Sequence, residues 1–377
     1  MFPALDIDIR PGSGLGIFEI GASLWNILHI LHRHQEAFPQ VDVKYDPDSS
    51  VLTPIILHLR PHLDLLFSSK NQRLHTICLR RLRDPNPPVV LRYKDTILSS
   101  IDQVLRRSGV NRTFGPTYAG EDLKYPGLWF SFEEDGLGEG IKGNQAEDRG
   151  QVVKRVFVSQ KPLDGSDRDA LDEVIESPTM AGEVAKAVVK IHVGITLFFH
   201  PIGSTEPLHI RLGETTAQDL TVDLGPPSRK HYKDDDRMTI HLTSNANEED
   251  RGYFYNYFQH GLDFLISGNS HIVRKVIVHT NIPGTPQFQR YKRCIWELEG
   301  QPEDDEDDSP PRRHFSDRFE TISHFLNPRG PPPSMPLDRT ADDEGVTLAN
   351  PTTRLYGYDG IVLEVTDSSH VVSLTLF

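Results

Sequence analysis

At 377 residues, with hydrophobic residues at 37% and charged residues at 25%, the chain can bury a core without disulfide or metal staples. Its formal charge of −14 argues against a nucleic-acid binder, because phosphate neutralisation needs a basic field. The two cysteines, Cys78 and Cys294, sit in apolar or aromatic surroundings and fit structural thiols of a reduced compartment, not a disulfide framework.

The amino terminus, MFPALDIDIR, has acids where a secretory signal needs a basic and then an apolar run. The expectation is a soluble intracellular protein. Gly12-Ser13-Gly14-Leu15-Gly16 lacks the spacing and the preceding strand of a dinucleotide fingerprint. Leu24, Ile27, Leu28 and Leu31 then recur at helical spacing, with Ser23 placed to cap them. From His62 a hairpin follows, Leu63, Leu65 and Phe67 alternating before a polar turn and a second apolar run. Asp84-Pro85-Asn86-Pro87-Pro88 reads as a linker.

Ile97, Ile101, Val104 and Leu105 predict a second helix, which Gly109 ends. Its hairpin is split: GLWFSFE from Gly127 and QVVKRVFV from Gln151 flank a glycine-rich acidic stretch, Glu133 to Gly150. Residues 161–207 fit no helix-hairpin pattern. DALDEVIES there predicts a short helix. Ala187 to Ile202, broken by Lys190, His192 and His200, predicts added strands and not a membrane span. A third helix follows Gly213-Glu214-Thr215 and is closed by Gly225, and a third hairpin starts at Gly261. The acidic run Glu303 to Asp308 is a linker, Ser316 leads into a fourth helix closed by Asn327-Pro328, and Gly330 to Asn350 is a proline-rich, mobile loop. The last hairpin runs from Gly360 to Phe377.

Three of these hairpins, starting at His62, Gly261 and Gly360, overlay for 18 residues without a gap, which places His271 and His370 at one position. The fold expected is α+β: four repeated helix-plus-β-hairpin units packing as two-layer antiparallel sheets with helices on one face. Their bounds are 1–83, 89–160, 208–300 and 313–377, with inserted strands and a short helix at 161–207 and an acidic linker at 301–312.

A search for chemistry finds little. His29 and His32 share a helix face, but no acid or cysteine completes a metal set, and a solvated helix flank explains them as well. Asp234-Asp235-Asp236 lacks the glycine and terminal glutamate of a calcium loop. Neither cysteine, nor any serine, sits in a nucleophile motif, so no catalytic residue and no cofactor is assigned. Tyr253 to Phe258 holds five aromatics in six residues. They are either a binding surface or a strand turning alternate rings inward. Arg80, Arg81, Arg106, Arg107, Lys154 and Arg155 are candidate anionic-lipid contacts if the fold gathers them, although small basic clusters are more often solvated element ends.

The stretch from Tyr253 to Cys294 also carries a family pattern: Tyr253, Phe254, Asn256, Tyr257, Phe258, Gly261 and Asp263, then His279 to Gly284, then Tyr291-Lys292-Arg293-Cys294. Asn71-Gln72-Arg73-Leu74, Phe114-Gly115, Gly127-Leu128 with Phe130-Ser131-Phe132, and Leu224-Gly225 with Pro227 extend it in order along the chain. These residues resemble the phagophore assembly factor family (uncharacterised protein family 0183), in a fungal-type member. Ala119-Gly120 departs from the family's Pro-Gly, and relatives are expected to carry a tail beyond the position of Phe377. The resemblance implies a non-enzymatic autophagy factor acting with a WD40 β-propeller partner similar to the microtubule-associated cell migration factor. It implies recruitment from the cytoplasm to the phagophore, with indirect membrane association and no nucleic acid. Tyr253, Phe254, Tyr255, Tyr257, Asn281, Pro283 and Tyr291 are the candidate partner contacts. The alternatives are a phosphoinositide-binding module and a Golgi or vesicle-traffic adaptor.

Overall fold

Alternation along the strands becomes one closed face per sheet: Leu63, Leu65 and Phe67 are buried in one hairpin, and Ile361 and Leu363 in another. The computed structural model describes residues 5–47, 49, 51–85, 87–118, 120–133, 150–160, 174–232, 252–300, 310–338 and 352–377. It divides into two compact units, Met1–Asp46 with Thr53–Thr179 and Pro47–Leu52 with Met180–Phe377. The described residues are mostly sheet with four α-helices, so the α+β class holds.

Unit 1 opens with β1 (Leu5–Arg10), β2 (Gly14–Leu15), β3 (Phe18–Glu19) and helix α1 (Leu24–Arg33). The meander β4 (Val41–Lys44), β5 (Ile55–Leu59), β6 (Leu63–Phe67) and β7 (Leu74–Arg80) follows. Then come β8 (Val89–Tyr93), β9 (Thr96–Ser99), α2 (Arg107–Phe114), β10 (Leu123–Tyr125), β11 (Leu128–Phe132) and β12 (Val153–Ser159). They form a five-stranded sheet ordered β3-β2-β1-β8-β9 and a seven-stranded sheet ordered β10-β11-β12-β7-β6-β5-β4.

Unit 2 opens with β13 (Val184–Lys190), β14 (Gly194–Phe199), β15 (Leu208–Arg211) and α3 (Ala217–Leu224). The meander β16 (Arg229–Tyr232), β17 (Tyr253–Tyr257), β18 (Leu262–Ile266) and β19 (Val273–His279) follows. The unit ends with β20 (Trp296–Glu299), β21 (Arg312–His314), α4 (Phe319–Leu326), β22 (Ser334–Asp338), β23 (Thr352–Tyr358), β24 (Ile361–Thr366) and β25 (Val371–Leu376). Its sheets are ordered β15-β14-β13-β20-β21 and β16-β17-β18-β19-β25-β24-β23-β22.

Each large sheet joins two hairpins through their second strands, β7 antiparallel to β12 and β19 antiparallel to β25. Each small sheet carries one parallel pair, β1 with β8 and β13 with β20. The four hairpin ladders each slip just before the turn closes: Phe67 faces Leu74, Phe132 faces Val153, Ile266 faces Val273, and Val365 faces Val371. The first residue of each helix donates its amide to the residue two before the hairpin's return strand. These bonds are Leu24 to Gln72 at 2.8 Å, and Arg107 to Gln151, Ala217 to His271 and Phe319 to Ser369 at 2.9 Å each. An orphan donor of each helix start is thereby met by a turn carbonyl.

Several expectations are corrected. Strict antiparallel pairing fails at β1–β8 and β13–β20. Residues 161–207 are no simple insert: β13 and β14 supply the start of unit 2's small sheet. The second helix starts at Arg107 and runs through Gly109, because Ile97 lies in β9 while Ile101 and Val104 are 68% and 40% exposed. The fourth helix, expected to follow Ser316 directly, starts at Phe319, with Arg318 at its N-cap position. The proline-rich stretch is in part a strand: Pro336 lies in β22, the edge of its sheet, where proline is tolerated. The gapless overlay slips by one residue in the last hairpin. His271 (φ 55°) corresponds to Ser369 (φ 59°) and Gln72 (φ 48°), so His370 stands one position later. The acidic loop over 134–149, the triple aspartate, the acidic linker over 301–309, residues 339–351 and residues 169–173 of the short helix expected over 169–177 lie outside the described residues, and 174–177 are not helical.

Candidate functional site

The core of unit 2 lies under one face of the eight-stranded sheet, with Tyr257, Phe264, Trp296, Leu363 and Leu374 fully closed off. Residues of the opposite parity point to the other face. There they line a concavity of about 660 Å³ between Phe254, Lys275, Ile277, Leu355, Val362 and Phe377. The Lys275 ammonium lies over the Phe377 ring, 5.4 Å from its centroid.

That contact holds the side chain over the rim of the hollow.

The floor is polar and locked. Asp263, 4% exposed, accepts from Asn256 Nδ2 at 2.7 Å through one oxygen. Its other oxygen meets His279 Nε2 at 2.9 Å and the Tyr291 hydroxyl at 2.7 Å. Glu364, 5% exposed, accepts from the hydroxyls of Thr353 and Ser373 at 2.8 Å each. Strand register supplies this: Asn256 faces Asp263 across β17–β18, and Ser373 faces Glu364 across β24–β25. With carboxylates, imidazole and hydroxyls bonded to one another, the floor is a set of fixed dipoles.

Beside it, the segment after β19 is held by buried charge. Lys292 pairs with Glu183 at 2.6 Å. Arg293 donates to the carbonyl oxygens of Thr280, Val51 and Asn281, and burial lowers its pKa to about 9. Trp296 Nε1 donates to Thr280 Oγ1 at 3.0 Å. Burial pushes the Cys294 thiol up to about 12, and the Cys78 thiol likewise, so both favour the protonated thiol.

The seven aromatic and loop residues singled out as partner contacts divide by strand parity. Tyr255 and Tyr257 turn inward and are buried, while Phe254 lines the concavity. Tyr253 is half-buried and bonds His271 Nδ1 at 2.9 Å. Asn281, Pro283 and Tyr291 are buried in the loop that Asp263 and Arg293 anchor. Phe254 and Tyr253 alone of the seven offer surface in this structure.

The six basic residues divide as well. Arg81, Arg106, Lys154 and Arg155 are exposed, and Arg80 is half-buried and paired with Asp64 at 2.9 Å. Arg107 is corrected outright: it is 8% exposed and donates to the carbonyls of Gly120 and Glu121 and to Gln151 Oε1. Its charge fixes a loop and does not face solvent. Sequence reasoning missed Glu364 and the Asp263 cluster. The one signal was an acid at a strand position whose neighbours are apolar. Among the described residues no group of three or more His, Cys, Asp and Glu side chains is placed to hold a metal. No described helix is long and apolar enough to cross a membrane.

A family model described as Phagosome assembly factor 1, PHAF1, matches residues 14–377. The chain belongs to the PHAF1 family. It is 27% identical to a PHAF1 protein of Arabidopsis thaliana over 399 aligned positions, covering 98% of this chain and 92% of the relative. A PHAF1 protein of Caenorhabditis elegans is 25% identical, with 96% and 90% covered. One of Drosophila melanogaster is 26% identical, with 99% and 94% covered. No solved structure matches significantly. The PHAF1 match takes in all four helices, both large sheets and every residue of the concavity.

Proposed function

We propose that this PHAF1-family chain is a non-enzymatic autophagy scaffold, made of four copies of one helix-and-hairpin unit, that binds a WD40 β-propeller partner. The partner brings it from the cytoplasm to the phagophore, so its contact with membrane is indirect. The observation that carries the reading is the family description, Phagosome assembly factor 1, over residues 14–377. Two features of the fold support it. The helix starts at Leu24, Arg107, Ala217 and Phe319 are each bonded to the turn of their own hairpin, as copies of one unit would be. Asp263, Glu364 and His279 of the concavity are engaged in hydrogen bonds with neighbouring side chains, as in a structural floor.

The test is co-elution of the purified chain with the propeller homologue of the same organism, together with the position of a fluorescent fusion in starved cells. One complex on gel filtration, and fusion foci that vanish when the propeller gene is deleted, are expected. Separate elution removes the mechanism, and foci that persist without the propeller remove the recruitment step.

A further inference from the structure

The outer face of the seven-stranded sheet in unit 1 carries two cross-strand rows that the reading above does not use. In the first, Lys124 stands opposite Trp129, Trp129 opposite Phe157, and Phe157 opposite Cys78. The indole and the phenyl ring stack at 4.6 Å with 12° between their planes. Both are half-buried and Lys124 is exposed.

In the second row, two residues further along the same strands, Ser131 stands opposite Arg155 and Arg155 opposite Arg80. Like charges directly opposite on neighbouring strands repel. Arg80 shares the carboxylate of Asp64 with His58, at 2.9 Å and 2.7 Å. Arg155 is exposed and has no carboxylate paired with it among the described residues. Arg80 Nε and Ser131 Oγ are closed off from water and meet no acceptor. The row therefore presents one exposed guanidinium without a paired carboxylate, that of Arg155.

The geometry points to this strip as the docking site of an extended acidic peptide, with a carboxylate on the Ser131–Arg155–Arg80 row and an apolar side chain on the Trp129–Phe157 stack. Guanidinium forks match carboxylates in two-point bonds. Side chains at i and i+2 of an extended segment lie about 7 Å apart. The two rows are spaced by the same two residues of strand, so acid and apolar group at that interval reach both rows together. Charge favours the same occupant. In a chain of net charge −14, the strip presents Lys124, Lys154 and Arg155 to solvent. A bilayer is the poorer fit, because rings stacked face to face along a sheet do not project into it. The inference does not depend on which protein carries the peptide, nor on the propeller.

The test titrates the full chain into a fluorescein-labelled decapeptide with Glu-Ala-Phe at its centre on a Gly/Ser background, read by anisotropy at low salt. Saturable binding is expected, weakened at least about tenfold by Arg155→Ala and less by Arg155→Lys. Peptides with Gln for Glu, or Ser for Phe, bind correspondingly more weakly. Because Arg155 is exposed, the variant keeps its fold, which its circular dichroism and melting curve verify. Absence of saturable binding overturns the proposal, as does equal affinity for Arg155→Ala or for the Gln peptide. Arg155-dependent flotation with phosphatidylserine vesicles, without peptide binding, makes the strip a membrane contact and also overturns it. Failure here leaves co-elution with the propeller as a separate result.

Discussion

The ring of His279 lies on the ring of Tyr291, centroids 3.7 Å apart and planes 13° from parallel, and both side chains meet the same oxygen of Asp263. One buried carboxylate thus ties the end of β19 to the loop that returns to β20. The loop carries the Tyr291-Lys292-Arg293-Cys294 run, so its place depends on an acid 28 positions upstream of Tyr291.

Removing that acid should cost more than removing any one of its partners. Asp263→Ala strands three donors, two of them buried, and should lower stability by about 3 kcal/mol or more, whereas Tyr291→Phe loses its bond to Asp263 and should cost about 1 kcal/mol. Urea unfolding followed by circular dichroism ranks the two. Equal losses would mean that the cluster is not organised around Asp263.

Two glycines of unit 2 separate space from backbone conformation. Gly261 has φ +71°, and a Cβ there would stand 2.2 Å from the Lys292 carbonyl oxygen. Gly225 has φ +80° with nothing within 4 Å. Gly225→Ala should therefore cost only the left-handed strain, about 1–2 kcal/mol. Gly261→Ala must also displace backbone and should reach about 4 kcal/mol or fail to fold. Thermal melts that put the two variants level would show that the Lys292 carbonyl yields freely.

Two histidines, the half-buried His260 and the buried His370, should make the fold acid-sensitive. His260 and His370 are both pushed down to about 4 by burial, with Lys292 facing the first and Arg318 and Arg293 facing the second. Glu183 near His260 and Glu320 near His370 oppose the shift without cancelling it. Above the ordinary histidine value near 6.5 neither state binds these protons, and the contribution to stability is constant. As pH falls from there toward 4, the unfolded chain takes up protons that the folded chain refuses, and stability falls. Below about 4 both states are protonated and the loss levels off. Melting temperature measured from pH 7.5 to 4.5 should drop, and drop less in His370→Leu. A profile of unchanged slope in that variant would remove His370 from the account.

Much of the local structure was legible. Ser23 caps α1 as its hydroxyl accepts from the Asn26 amide at 3.2 Å, and Thr216 with Asp219 closes a capping box on α3. The four hairpins stand where alternation around polar turns placed them. The second helix was misread because Ile97 to Leu105 mimics a helical stripe, while those residues are a strand end followed by a loop with Ile101 exposed. The last hairpin slipped by one residue because a gapless overlay cannot see a shorter turn.

The sequence alone determined which residues of the hairpin strands turn inward, where the first helix starts, and which family the chain resembles. Those are local facts: alternation with period two fixes the inward side, and a cap residue acts within one turn. Only the tertiary structure decided that β1 pairs in parallel with β8, that Arg107 points inward, and that Asp263 meets His279 and Tyr291. The reason is physical. Parity fixes the side a residue takes but not the strand that becomes its neighbour, and a buried charge takes its meaning from partners that chain distance does not reveal.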